Sequence, residues 1–67
     1  MKKEKLMVLK ACDKEPGTVP QIAKYLKIKE LDVEEILRGL KKEGLVYKDE
    51  KIWVVTLEGG KKINEKI

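Results

Sequence analysis

The sequence predicts an α+β fold that is mainly α: three helices, then a two-stranded β-hairpin and a short C-terminal helix or tail. Three observations carry this. Apolar residues recur at helical spacing in three successive segments up to Leu40. The period then changes to short runs rich in β-branched and aromatic residues, Leu45–Lys48 and Ile52–Leu57. Breakers stand at the changes, with Pro16 and Gly17 after the first segment and Gly44 after the third. Sixty-seven residues make one domain, 1–67. A chain of this size buries only about 60% of the surface its unfolded form exposes, so dimerisation or close pairing of elements is the expected source of extra stability.

The first segment, KKEKLMVLKAC, places Leu6, Met7, Leu9 and Lys10 on helical spacing and closes on Ala11 and Cys12, one buried stripe of a helix. Asp13 to Gly17 ends it. In the second, TVPQIAKYLKI, Thr18 is the N-cap candidate and Pro20 suits an early position where no amide donor is needed. Val19, Ile22, Ala23 and Leu26 form its apolar face. The third, over residues 31–43, repeats the pattern with Val33, Ile36, Leu37 and Leu40, and Gly44 sits where a left-handed helix stop is wanted. The hairpin spans residues 45–57 around the polar Asp49, Glu50 and Lys51. Ile52–Val55 is continuously apolar, which predicts at least partial cover on both faces of that strand. In the tail, Gly59 and Gly60 together make a poor helix carrying Ile63 and Ile67.

Two short helices joined by a tight turn and followed by a ribbon is the winged helix-turn-helix plan. Residues 18–59 resemble the winged-helix domains of bacterial and archaeal transcriptional regulators, including the MarR-like and ArsR-like groups. The matching skeleton is TVPQIAKYLKI, then Val33, Leu37, Leu40, EGLV at 43–46 and VTLEG at 55–59. The resemblance implies duplex DNA as partner, with the third helix in a groove and the hairpin as a wing. Two departures stand out. Lys27 occupies a position that often holds Gly, so a differently shaped turn is expected. The head of the third helix carries Asp32, Glu34 and Glu35, where relatives often have Ser, Thr, Arg or Gln.

Charge sharpens that second point. The net charge is +4, from 16 bases and 12 acids. Residues 29–35 hold one base and four acids, so the rest of the chain holds 15 bases and 8 acids. Acids in a first helical turn meet the positive end of the helix dipole, worth about 0.3–1 kcal/mol each. Glu34 and Arg38 have the i, i+4 spacing of an ion pair, and Lys41 and Lys42 suit the C-terminal end. Helix stability alone would select this order. Opposite the apolar stripe lie Leu31, Glu35, Arg38 and Lys42. In a major groove Arg38 can take guanine, and Glu35 can accept from the cytosine amino group. Gln21, Lys24, Lys27, Lys29, Lys41, Lys42, Lys48 and Lys51 are the further nucleic-acid contact candidates.

Tyr47 and Trp53 either fill the gap between wing and helices, serve a dimer interface or stack on bases. Trp53, Val55, Leu57, Ile63 and Ile67 are the candidate dimer surface. A module this small makes a small interface with DNA, so a homodimer on a two-fold site is expected. Catalysis is not. The chain has no His, its lone Cys12 has no partner base, and EGGKK lacks the spacing of a phosphate loop. One Cys without His also speaks against zinc, so no cofactor or metal is expected. No apolar run approaches the length of a membrane span and no signal-peptide pattern is visible, which leaves the cytoplasm as the default location. The Lys/Glu-rich composition resembles that of proteins from hot habitats.

Two functions follow as expectations. The first is a small winged-helix DNA-binding transcriptional regulator. The second is a winged helix used as a protein-interaction module of a transcription-related assembly, its acidic helix head facing a basic partner.

Overall fold

The computed structural model of the chain describes residues 3–64. Helices α1 (Lys3–Lys14), α2 (Val19–Leu26) and α3 (Glu30–Lys42) are followed by strands β1 (Val46–Asp49) and β2 (Ile52–Val55) and by helix α4 (Leu57–Asn64). The three-helix-plus-hairpin fold class read from the sequence is the fold observed, with the tail forming a helix.

One core holds the elements together. α1 supplies Val8, Leu9, Ala11 and Cys12, α2 supplies Ile22 and Ala23, and α3 supplies Val33, Leu37 and Leu40. Leu45, Val46 and Trp53 close it from the ribbon side. On α1 the buried face is turned from the expected one: Val8 is fully buried while Met7 is 37% exposed. Four consecutive apolar residues, Leu6 to Leu9, leave the phase of that helix open until its neighbours are known.

Local chemistry sets each boundary. Thr18 and Gln21 form a capping box that satisfies two amides at the start of α2: the Gln21 N–H donates to Thr18 Oγ1 (3.4 Å), and the Thr18 N–H to Gln21 Oε1 (3.0 Å). α2 ends at Lys27, which adopts the left-handed conformation (φ 60°, ψ 42°), while the Ile28 N–H reaches back to the Ala23 carbonyl at 3.1 Å. The turn therefore keeps a glycine-like shape without glycine, contrary to the altered turn expected from Lys27. That conformation costs a side-chain-bearing residue roughly 1 kcal/mol. α3 ends at Gly44 (φ 77°), with the Leu45 N–H bonded to the Leu40 carbonyl (2.9 Å) and the Gly44 N–H to the Lys41 carbonyl (3.0 Å). This pair of bonds is a Schellman stop.

β1 and β2 pair antiparallel from Val46↔Val55 to Asp49↔Ile52, leaving Glu50–Lys51 as a two-residue turn. Glu50 takes φ 58° there. The Trp53 N–H donates to the Gly17 carbonyl at 2.8 Å, so Gly17 adds a one-residue third strand that ties the ribbon to the α1–α2 connection. Trp53 is buried and Val54 and Val55 are partly buried, so both faces of β2 are at least partly covered as expected, while Ile52 at the tip is 43% exposed.

The glycine pair did not prevent α4. Thr56 nucleates it: Thr56 Oγ1 accepts from the Gly59 N–H (3.1 Å) and donates to the Gly44 carbonyl (2.7 Å), and the Thr56 N–H donates to the Leu45 carbonyl (3.0 Å). One residue thus caps α4 and pins it to the end of α3. Gly59 is required by contact, since a Cβ there would lie 2.1 Å from the Leu45 oxygen and 2.7 Å from Val55 Cγ1.

Candidate nucleic-acid interface

α3 has two unlike faces. Val33, Leu37 and Leu40 have no exposed surface, whereas Leu31, Glu35, Arg38 and Lys42 all face solvent. No part of the described chain covers that outward stripe. The helix begins at Glu30, one residue earlier than expected, so Glu34 and Glu35 fall in its second turn. The dipole argument therefore belongs to Glu30 and Asp32, the acids of the first turn, and these stand in for the side-chain cap that Lys29 does not provide. Glu34 has a different task. Its Oε1 accepts from the Arg38 guanidinium at 2.6 Å, the expected i, i+4 pair, with side chains 42% and 72% exposed. That exposure keeps its worth to a few tenths of a kcal/mol. Guanidinium carries five N–H donors, so the pair still leaves Arg38 an edge for another acceptor.

Cations frame this stripe along the sequence. Lys24 lies on α2, Lys27 and Lys29 in the turn before α3, and Lys41 and Lys42 in its last turn. All five are exposed, and none forms an ion pair among the described residues. Gln21 differs from them, because its carbonyl oxygen is engaged in the capping box and only its amide nitrogen remains to donate.

On the ribbon, Lys51 sits in the turn between Glu50 and Ile52. Lys48 is the cross-strand partner of Trp53, and its ammonium stands 5.6 Å from the centre of the indole ring. Such a contact holds a cation loosely, at roughly 0.5–1 kcal/mol. The two aromatic candidates separate here. Trp53 is 4% exposed and belongs to the protomer's own core, so it has no face for a base or for a second copy. Tyr47 is 49% exposed and is free to meet either. Among the remaining dimer candidates, Val55 and Ile63 are partly buried against the core, Leu57 is 88% exposed, and Ile67 lies outside the described residues. Leu31, 75% exposed at the head of the outward stripe, had only helical phase to mark it in the sequence.

Burial pushes the Cys12 thiol up to about 11, away from the reactive thiolate. An open groove of about 240 Å³ between the end of α1 and α2 is lined by Ala11, Pro16, Ile22 and Tyr25 with Lys14 and Glu15. No group of three or more Cys, Asp or Glu is placed to hold a metal ion among these residues, and no described helix is long and apolar enough to cross a membrane.

No family model and no curated protein matches the chain by sequence. Solved structures do. MepR, a transcription regulator of the Staphylococcus aureus multidrug efflux pump MepA, superposes with a TM-score of 0.91 at 25% identity, covering 97% of this chain and 53% of MepR. A hypothetical protein from Sulfolobus solfataricus gives 0.86 at 30% identity, covering 97% of this chain and 54% of that one. The chain spans about half the length of each. Helix order, the Gly44 stop, the hairpin register and these superpositions agree: the chain has the winged helix-turn-helix fold of a transcription regulator.

Proposed function

We propose that the protein binds duplex DNA as a transcriptional regulator, with α3 in the major groove and the β1–β2 wing against the neighbouring backbone. The observation that carries this is the uncovered outward stripe of α3, preceded and followed by five exposed lysines that form no ion pair among the described residues. Lys24, Lys27, Lys29, Lys41 and Lys42 neutralise phosphates and set the register. Lys48 and Lys51 do the same from the wing, where Asp49 and Glu50 weaken them. Gln21 donates through its amide nitrogen. Arg38 takes guanine O6 and N7 through the guanidinium edge that Glu34 leaves open, and Glu35 accepts from a cytosine amino group. The chain occupies a site and performs no chemistry. It acts as a homodimer on a two-fold operator, with Leu57, 88% exposed, the most exposed large apolar side chain among the described residues.

The acids of α3 temper affinity and select sequence. A carboxylate between phosphate rows is tolerated when a base amino group or Arg38 answers it, so Glu35 penalises sites that lack such a donor. The test is titration of mixed-sequence duplex at two salt concentrations. Binding near the micromolar range at low salt is expected, with seven phosphate contacts giving a log–log salt slope of about −6 per protomer. Absence of binding at low salt would remove the DNA reading and turn attention to a basic protein partner for the acidic helix head.

A further inference from the structure

We infer that Leu31 is a specificity-determining residue that reads the C5-methyl group of a thymine, an inference that rests on the DNA-binding reading of α3. Leu31 stands in the first turn of α3 on the same outward line as Glu35 and Arg38, and it is 75% exposed. Every other residue of that line is charged, so none of them can meet a methyl group. In helix-turn-helix proteins the N-terminal residues of the groove-bound helix are those that touch base edges. Apolar side chains there recognise the thymine methyl, the single apolar mark in the major groove.

Leu31 gives the fold itself almost nothing. Its side chain is uncovered, it is absent from the core set that holds Val33, Leu37 and Leu40, and Ala is at least as good a helix former. The sequence spacing also fixes where the thymine should lie. Leu31 and Arg38 are seven residues apart, two helical turns and a rise of about 10.5 Å. The groove runs obliquely to the duplex axis, so a step along it exceeds the axial 3.4 Å and that rise spans about two to three base steps. The preferred site should therefore hold a thymine about two to three steps from the guanine taken by Arg38, with the base pair met by Glu35 between them.

The experiment uses a duplex recovered by the wild-type protein from a randomised pool, with each thymine replaced in turn by deoxyuridine, which removes the methyl group alone. Wild-type affinity should fall about fourfold at one position, the effect of losing one buried methyl, and hardly at the others. Leu31→Ala should keep the wild-type melting temperature, bind the parent duplex more weakly, and lose the distinction between thymine and uracil at that position. Equal sensitivity to uracil in both proteins, or none in the wild type, overturns the role of Leu31 while leaving DNA binding standing. A pool from which the wild type recovers nothing at low salt overturns both.

Discussion

Gly59 and Gly60 are adjacent in one helix, yet the same substitution should move the two in opposite directions. In an unhindered helix interior, Gly→Ala gains about 0.8–1 kcal/mol from backbone entropy and propensity. Nothing lies within 4 Å of a Cβ built on Gly60, so Gly60→Ala should collect that gain. At Gly59 the new Cβ would stand 2.1 Å from the Leu45 oxygen. Neither side can yield easily: that oxygen also accepts the Thr56 N–H at 3.0 Å, and Gly59 donates its own N–H to Thr56 Oγ1. Overpacking typically costs about 1–3 kcal/mol, and a backbone obstacle puts this case at the upper end. Against the propensity gain, the net loss should be about 2 kcal/mol. For a domain of this size each kcal/mol moves the midpoint by about 4–8 °C. Thermal unfolding followed by circular dichroism should therefore show Gly59→Ala melting about 8–16 °C lower and Gly60→Ala about 4–8 °C higher. Equal shifts of one sign for both would refute the close approach of α4 to Leu45.

Two further outcomes follow from single residues. Lys27→Gly relieves the left-handed strain at the end of α2 and should raise stability by about 1 kcal/mol. It should also make the salt slope of DNA binding shallower by about 0.9 through loss of one phosphate contact, so one variant should melt higher in thermal unfolding and bind more weakly in titration. Cys12 governs alkaline stability. Its native pKa is raised to about 11 by burial, from 9.0, so the folded state prefers the protonated thiol. The stabilisation is present below pH 9 and is lost as pH rises through 11, amounting to about 2–3 kcal/mol in all. Urea unfolding of the wild type and Cys12→Ala across pH 8–11 should converge as pH rises. Parallel curves would contradict the assignment.

Much of the fold is legible in the sequence because its signals are local. Thr18 before Pro20, Gly44 after Leu40 and the change of period at Leu45 each state a boundary in their own chemistry, and Glu34 with Arg38 states its ion pair by spacing alone. The features that are not legible depend on what lies across the fold. Leu6 to Leu9 reads the same in several helical phases, and only α2 and α3 choose Val8 over Met7. Trp53 in an apolar run can face inward or outward until its register against Lys48 and its bond to Gly17 are known. Lys27 carries no mark of a left-handed backbone. Gly59 reads as a weakness of α4, and only the Leu45 carbonyl above it shows that a side chain has no room. At the candidate site, residue identity announces cations and acids, while exposure shows which of them stand free: Arg38 is paired, Gln21 is half committed to a cap, and Leu31 is uncovered.

A polyanion-binding face built from the exposed stripe of α3 and its surrounding lysines must show itself in salt dependence. The decisive experiment is a titration of mixed-sequence duplex at low and moderate salt, run on the wild type beside Lys24→Gln/Lys41→Gln. Near-micromolar binding at low salt is expected, with a slope near −6 per protomer that becomes less steep by about 1.8 per protomer in the double variant. Binding that ignores salt, or that is unchanged when those two lysines are neutralised, would show that the face does not exist.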